Sequence, residues 1–255
     1  MIILKSPEEI EKIRQSCAIV AKGLHYAARL IAPGIKTKDI DREIESFLSR
    51  HGAKSAFKGY SQKGGIRKYP ASICISINNE VVHGIPSSRR FKEGDIVSLD
   101  FGASYNGYYG DCAITVPVGR ISEKATRLIE VTREALNKAI EQSHVGNRLE
   151  DISYAVQSFV EEKGYTVVRD FVGHGIGKSM HEDPQIPNFG KPGRGKRLQI
   201  GMVFALEPMV NEGDYRVKVM DDGWTVKTSD GTLSAHFEHT VAITQNGPDI
   251  LTLLN

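Results

Sequence analysis

Two aspartates lie inside apolar, strand-like runs in the segment 96–116 of the chain. Asp100 is part of IVSLDFG and Asp111 opens DCAITV, with Asn106-Gly107 as turn residues between the two runs. This pattern predicts a β-hairpin. Aspartate is depleted in strands and is rarely buried without a partner. The hairpin is therefore either an exposed edge with two solvated acids or a site where a cation lies between two carboxylates.

The second half of the chain places glutamates in similar surroundings. Glu207 is the one acid in the apolar run MVFALEPMV, and Glu238 opens the strand-like run EHTVAIT. Four carboxylates in an apolar sheet require compensation, because each buried uncompensated ion costs several kcal/mol. Two divalent cations would balance a charge of −4, so the four acids together predict a dinuclear metal site.

A histidine between glycines supplies a candidate nitrogen ligand. His174 lies in GHGIG, where glycines let backbone and substrate approach closely. A single histidine in a loop is also typical of an ordinary surface residue, but four embedded acids favour the ligand. Carboxylates with one imidazole suit Mn, Fe, Co or Zn. Two such ions can activate water and polarise a carbonyl, which predicts hydrolysis.

The elements that must position these residues occur twice along the chain. Ser6-Pro7-Glu8-Glu9 predicts a capped helix start, and an apolar stripe continues to residue 31. Thr37 is predicted to cap a second helix that stops at Gly52, with a loop over 53–69 and strands over 72–77 and 81–82. Ser122 begins the second copy. Shifting the sequence by 112 positions aligns Gly34 with Gly146, Asp39 with Asp151, Ile40 with Ile152, Phe47 with Phe159 and Gly52 with Gly164.

This repeat predicts the fold class. Two α/β halves related by a pseudo-two-fold, at about 6–118 and about 121–250, would contribute strands to one shared sheet. Helices precede strands in each half, which favours an α+β fold with helices on one sheet face over a doubly wound sheet. We expect residues 1–255 to form a single catalytic domain.

Composition narrows the function classes. The 255 residues carry 33 basic and 31 acidic side chains, a net charge of +2 that does not indicate nucleic acid as a main partner. Three cysteines without a CxxC pair argue against a disulfide framework or a structural zinc site. There is no signal-peptide pattern and no membrane-length apolar run, and no exposed heptad. We therefore expect a cytoplasmic monomer without membrane or specific DNA partners.

The acidic set resembles that of a known family. The five candidate ligands are Asp100, Asp111, His174, Glu207 and Glu238. Their order along the chain and their flanking residues resemble the metal ligands of the type I methionine aminopeptidases, a family with the pita-bread fold. Four motifs also resemble that family: NEVVHGIPS at 79–87, GHGIGKSMHEDPQ at 173–185, FALEPMV at 204–210 and DGWTVKT at 222–228. The similarity runs from Ser6 to Leu251 and fits the short bacterial form.

The resemblance implies an activity and a set of roles. It implies removal of the N-terminal methionine from nascent polypeptides and peptides, with a small second residue and two divalent ions, which could be Co, Mn, Fe or Zn. The α-amine of the peptide would bind a metal. Glu207 would exchange a proton with the attacking hydroxide, while His83 and His181 would stabilise the scissile amide and the oxyanion. The methionine pocket would be formed by Tyr69, Cys74, His83, Met180, His181 and Trp224.

The sequence departs from the family pattern at two places in this pocket. Met180 stands where the family usually has an aromatic residue, which would make the pocket more deformable, and segment 61–68 is unfamiliar. Cys74 could also be a small buried hydrophobe, and Trp224 could be a surface aromatic in a turn.

Three other functions compete with this interpretation. An Xaa-Pro peptidase shares the fold but usually carries a large N-terminal domain, for which this chain has no room. A non-enzymatic pita-bread binding protein typically loses ligands, and all five are present here. A dinuclear phosphoesterase would need an adjoining Arg or Lys to bind phosphate.

The loop 191–197, KPGRGKR, is basic and rich in glycine. Such a loop is either simply solvated or docks on ribosomal RNA.

Overall fold

Helices and antiparallel strands make up the protein, for which a computed structural model describes residues 1–61 and 67–254. The helices are α1 (Pro7–Arg29), α2 (Thr37–Arg50), α3 (Glu123–Glu141) and α4 (Leu149–Glu162). The strands of the first half are β1 (Lys54–Ser55), β2 (Cys74–Ile77), β3 (Glu80–Val82), β4 (Ile96–Tyr105) and β5 (Tyr108–Pro117). Those of the second half are β6 (Thr166–Val167), β7 (Val172–Gly175), β8 (Glu182–Pro187), β9 (Val203–Leu206), β10 (Met209–Asn211), β11 (Val217–Val219), β12 (Val226–Thr228), β13 (Ser234–His236), β14 (Glu238–Thr244) and β15 (Gly247–Ile250).

Two of the four helix starts follow from a capping serine. The Ser6 side chain accepts from the Glu9 backbone N–H and the Glu9 carboxylate accepts from Ser6, so the predicted capping box is confirmed. Ser122 caps α3 as predicted. The prediction for α2 is wrong by one residue: Lys36 is the N-cap, because the Thr37 hydroxyl bonds instead to the backbone of Ser87.

The second helix of each half has the same length and position in the repeat. Both α2 and α4 contain 14 residues, and their bounds differ by the 112 positions found in the sequence. Glycines with positive φ flank both helices, at +87° and +63° around α2 and at +99° and +82° around α4. Glycine is favoured at these positions because a side chain would strain the left-handed backbone.

One nine-stranded sheet joins the two halves. Its strand order is β1-β4-β5-β14-β9-β7-β8, with β2 also on β4 and β15 also on β14. Every pairing in the described strands is antiparallel, and the halves meet where β5 pairs with β14. The α+β prediction of one shared sheet is confirmed. The sequence did not indicate two further three-stranded sheets, β13-β10-β6 and β11-β12-β3, or the short β1 within the predicted loop 53–69, part of which lies outside the described residues.

The hairpin of β4 and β5 forms as predicted and is buried. Its ladder runs from Ile96 opposite Pro117 to Tyr105 opposite Tyr108. Asn106 and Gly107 form the two-residue turn with φ of 50° and 80°, the combination that suits a type I′ turn. Asp100 and Asp111 are only 9% and 4% exposed. Their low exposure excludes the alternative of a solvated edge hairpin.

Helices cover one face of the sheet and leave the acids on the other. Leu99 and Phe101 pack with α1 and α2 in one apolar cluster, and Phe204 and Leu206 pack with α3 and α4 in another. Since side chains alternate along a strand, Asp100 points away from these helices. No helix within 1–61 and 67–254 combines the length and apolar character that crossing a membrane would require.

Candidate metal centre and substrate cavity

Strand register brings three of the acids to one face of the sheet. Asp100 on β4 and Glu238 on β14 both lie opposite Ala113 of β5, one on each side. Asp111 precedes Ala113 by two residues and therefore points to the same face. The sequence-distant carboxylates are thus gathered on three adjacent strands.

The second half adds a histidine and a glutamate to this face. His174 on β7 lies opposite Ala205, which lies opposite Thr240 of β14, so His174 shares the face of Glu238. Glu207 follows directly on β9. The prediction that a strand carries Glu207 is wrong, since β9 ends at Leu206 and β10 begins at Met209.

The donor atoms lie at separations suited to a shared ion. The Nε2 atom of His174 is 3.8 Å from Asp111 Oδ2 and 3.6 Å from Glu207 Oε1. Ligand atoms of Asp111, His174 and Glu238 all lie within 4.8 Å of one another. These separations are too long for direct hydrogen bonds but fit atoms that would each be ~2.0–2.2 Å from a common cation.

Burial makes the negative charge of this cluster costly. It raises the pKa of Asp100 to about 7 and that of Asp111, Glu207 and Glu238 well above the usual carboxyl range. Among the described residues, no lysine or arginine pairs with any of the four, and Asp100 Oδ1 and Glu238 Oε1 have no hydrogen-bond partner. Within the described part of the chain, the cluster therefore has no positively charged partner.

The histidine is set up as a neutral ligand. The Nδ1 atom of His174 is 2.9 Å from the carbonyl oxygen of Gly175, to which it donates, so Nε2 is left with a free lone pair facing the acids. Burial lowers the pKa of His174 to about 3. Unpartnered carboxylate oxygens around a neutral imidazole fit divalent cations, and the residues present are compatible with the predicted metals.

A cavity of about 310 Å³ opens above the acids. Its lining contains all five candidate ligands together with Tyr69, Cys74, His83, His181 and Trp224 from the predicted pocket; the other lining residues are Phe57, Tyr60, Val82, Asp170, Phe171, Val172 and Gln185. At this volume the cavity is near the small end of the range for ligand pockets.

Aromatic rings form the wall of the cavity. Trp224 is 5% exposed and meets Tyr69 edge to face, with ring centroids 5.3 Å apart, which excludes a surface position for the tryptophan. The Tyr69 hydroxyl donates to the carbonyl of Gly84 at 2.9 Å. Cys74 is buried and lies opposite Asp100 in the pairing of β2 with β4, so it is both a small core residue and part of the wall.

Two histidines other than His174 line the cavity. His83 has a positive φ of 60°, a backbone conformation that is uncommon outside glycine and that clusters at functional sites. Burial lowers its pKa to about 4. The ring of His181 lies beside that of His174, with centroids 4.3 Å apart.

Met180 does not line the cavity, contrary to the prediction. It is 5% exposed and packs in an apolar cluster with Ile13 and Cys17. A Cβ on Gly102 would lie 2.8 Å from the Met180 Cε atom, so the absence of a side chain there gives the methionine room under the wall. Phe57, which does line the cavity, packs against the same cluster.

Sequence reasoning also missed several residues of the site. Phe57, Tyr60 and Phe171 come from loops, where no periodic pattern marks a buried ring. His236 is 1% exposed, has no hydrogen-bond partner on either nitrogen, and lies 3.9 Å from Glu207 Oε2. Its spacing of two residues from Glu238 was a usable indication, since alternate side chains of an extended segment point to the same side.

Comparison with known proteins defines the class. Residues 11–245 match the metallopeptidase family M24. The crystal structure of methionine aminopeptidase from Thermotoga maritima superposes with a TM-score of 0.95 at 49% identity, covering 100% of each chain. Prolidase from Pyrococcus furiosus gives a TM-score of 0.80 at 27% identity, covering 99% of this chain and 66% of its own. The chain belongs to metallopeptidase family M24 and has the pita-bread fold predicted from its sequence.

Its place within that family is with the methionine aminopeptidases. Methionine aminopeptidase from Clostridium perfringens is 54% identical over 254 residues, covering 100% of both chains. Methionine aminopeptidase 1 from Bacillus subtilis is 51% identical, covering 99% of both. The Xaa-Pro alternative has weaker support, because the prolidase is less similar and has a third of its length outside the match.

Proposed function

We propose that the protein removes the N-terminal methionine from nascent polypeptides and peptides whose second residue is small. The observation that carries this proposal is a small, ring-lined cavity whose floor consists of four carboxylates and a neutral imidazole. The floor supplies hydrolytic chemistry, and the wall supplies a slot for one unbranched apolar side chain.

Two divalent cations would be held by the five floor residues, namely Asp100, Asp111, His174, Glu207 and Glu238. When bound, such ions supply Lewis-acid chemistry, since they activate water and polarise a peptide carbonyl. Co, Mn, Fe and Zn all fit four carboxylates and one nitrogen. The charge arithmetic of four carboxylates supports two ions over one.

The chain's own residues would divide the remaining work. The Glu207 carboxylate lines the cavity, where it would accept a proton from the attacking water and pass it on to the leaving amine. His83 and His181 would face the scissile amide. Burial lowers the pKa of both, which keeps their rings neutral and able to donate one N–H to the developing oxyanion or the amide.

Methionine suits the aromatic wall. A thioether makes favourable contacts with ring edges, and Tyr60, Tyr69 and Trp224 present rings around the slot. The small volume leaves little space beyond a methionyl side chain and one peptide bond, which supports a small second residue.

Hydrolysis of three substrates tests the proposal. The peptide Met-Ala-Ser should be cleaved after methionine, while Ala-Pro peptides and nitrophenyl phosphate should be turned over at least about a hundredfold more slowly, because neither fills the thioether slot. A chelator should abolish cleavage, and added divalent metal should restore it. Preferential cleavage of Ala-Pro peptides or of the phosphate ester would contradict the proposed function.

The basic loop 191–197 is proposed to dock on ribosomal RNA near emerging N-termini. Its backbone is held to α4, where Lys191 N–H donates to Glu150 and Gly193 N–H donates to Asp151, and its four basic side chains remain exposed. Replacing Lys191, Arg194, Lys196 and Arg197 by glutamine should reduce co-sedimentation with ribosomes at low salt, because phosphate contacts weaken with each charge removed. Unchanged co-sedimentation would exclude this docking site.

The same variant should hydrolyse Met-Ala-Ser like the wild type, since no residue of the loop lines the cavity.

We further propose that the protein is a cytoplasmic monomer. A single species of 28.1 kDa in light scattering would support the monomer.

A further inference from the structure

The turn that carries His181 is held in place from outside the cavity. This turn, residues 176–181, joins β7 to β8. Within 1–61 and 67–254, no hydrogen bond to another protein group reaches the His181 imidazole, and the ring lies beside those of His174 and Tyr60, at centroid distances of 4.3 and 5.1 Å. The position of this imidazole therefore depends on the backbone of the turn.

The next residue, Glu182, connects the turn to the N-terminal segment. Its Oε1 atom accepts from the backbone N–H of Ser179 at 3.1 Å, within the turn. Its Oε2 atom accepts from Lys5 Nζ at 2.6 Å. The Lys5 and Glu182 side chains are only 4% and 7% exposed. The carboxylate is thus shared between the turn and a buried ammonium.

Lys5 is itself fixed. Its Nζ also donates to the carbonyl of Ile3 at 3.0 Å, and its backbone N–H donates to the carbonyl of Gly201 at 2.7 Å. A Cβ added to Gly177 would lie 2.6 Å from Lys5 Cε and 2.8 Å from Glu182 Oε1. The ion pair is therefore packed directly under the turn, without space for a side chain at residue 177.

A buried lysine needs an explanation beyond stability. Lysine is almost never fully buried unless paired, and two apolar residues of similar volume are often at least as stable as a buried ion pair. A second pair, between Lys178 and Glu9 at 3.1 Å, joins the turn to α1, but its lysine is 69% exposed, and pairs at the surface hold geometry weakly. The directional contact on the turn comes from Lys5.

We propose that Lys5 is a positioning residue for His181. By holding the Glu182 carboxylate, Lys5 fixes the turn so that the His181 imidazole faces the cavity beside His174. This inference rests on the proposed function, in which His181 acts on the scissile peptide. Its effect should appear in the catalytic step, because a displacement of about 1 Å in an acting group can cost about a hundredfold in rate.

The variant Lys5→Met tests the proposal on the full-length, metal-loaded protein. Methionine keeps the length of the side chain but leaves Glu182 without its charged partner. We expect kcat for Met-Ala-Ser to fall by about tenfold or more, with KM within about twofold and with metal stoichiometry unchanged, since the hydrogen bonds of Lys5 are to Ile3, Glu182 and Gly201 and to no floor residue. In the metal-free protein, NMR signals of the His181 ring should shift.

Matched variants separate positioning from general destabilisation. Arg14→Met breaks an ion pair of α1 that does not involve the turn, with Asp249 at 2.6 Å, and should leave kcat unchanged. Lys5→Arg keeps the charge and should retain most of kcat. If Lys5→Met does not fold, the double variant Lys5→Met/Glu182→Met removes both charges and should fold with kcat still reduced.

The results distinguish the two levels of inference. A folded Lys5→Met or double variant with wild-type kcat would overturn the positioning role, as would an equal loss in Arg14→Met or a loss of bound metal. Absence of Met-Ala-Ser hydrolysis by the wild-type protein would instead refute the proposed function.

Discussion

Replacing Glu207 by glutamine is expected to lower kcat for Met-Ala-Ser by about a thousandfold while the protein remains folded. General acid–base catalysis contributes roughly 10²–10⁴ in rate, and a glutamine amide cannot carry a proton between water and the leaving amine. The residue lies at the cavity floor, with Oε1 3.6 Å from His174 Nε2 and Oε2 3.9 Å from His236 Nε2. Steady-state kinetics with saturating divalent metal measure the effect.

Stability separates this chemical role from a structural one. Glutamine has the shape of glutamate without its charge, so it removes one of four mutually repelling buried carboxylates. In the presence of chelator the Glu207→Gln variant should therefore melt at the same temperature as the wild type or higher. The control Glu212→Gln removes a carboxylate that lies outside the cavity and is 3.9 Å from Lys124, and it should leave kcat unchanged. A Glu207→Gln variant with kcat within tenfold of the wild type would contradict the proton-transfer role.

Local chemistry explains which parts of the fold the sequence predicted. Asn106-Gly107 can adopt the two positive φ angles of a tight hairpin, and this fixed the register that places Asp100 beside Asp111. Ser6 and Ser122 marked helix starts by their capping hydroxyls. At Thr37 the same logic failed, since the hydroxyl found a partner on the distant Ser87 backbone. Capping rules are local, and a tertiary hydrogen bond can override them.

The floor of the candidate site was more predictable than its wall. Each acid stands out because a carboxylate in an apolar strand violates ordinary burial preferences, whereas an aromatic residue in a loop violates none. Phe57 and Tyr60 reach the cavity from a loop, where the Tyr60 ring lies 6.5 Å from that of Trp224. The prediction that Met180 forms part of the cavity wall was wrong because adjacent residues need not point the same way. Its neighbour His181 does reach the cavity, but the side chain of Met180 turns into the space above Gly102.

Removing bound metal is expected to lower the melting temperature, and the difference between metal-loaded and chelated protein should widen as the pH rises from 6.5 to 8.5. Burial raises the pKa of Asp100 to about 7 and that of Asp111, Glu207 and Glu238 well above the usual carboxyl range. In the unfolded chain these carboxyls ionise near pH 4. The chelated fold therefore binds more protons than the unfolded chain at neutral pH, and its stability declines as the pH rises.

Bound cations remove this dependence, because they stabilise the ionised carboxylates and release their protons. Histidines outside the floor, such as His83, affect both forms alike, so their contributions cancel in the difference.

The size of the effect follows from the number of protons involved. For each carboxyl that stays protonated in the chelated fold, one pH unit changes the free energy of unfolding by about 1.4 kcal/mol, and for a chain of this size 1 kcal/mol shifts the melting temperature by about 2–4 °C. We expect the difference to grow by about 5 °C or more over this range in thermal melts at constant ionic strength. Asp100→Asn should reduce the growth, while Asp214→Asn, at a half-buried carboxylate paired with Arg216, should not. A difference that stays constant with pH would show that the floor acids are not held protonated in the metal-free fold.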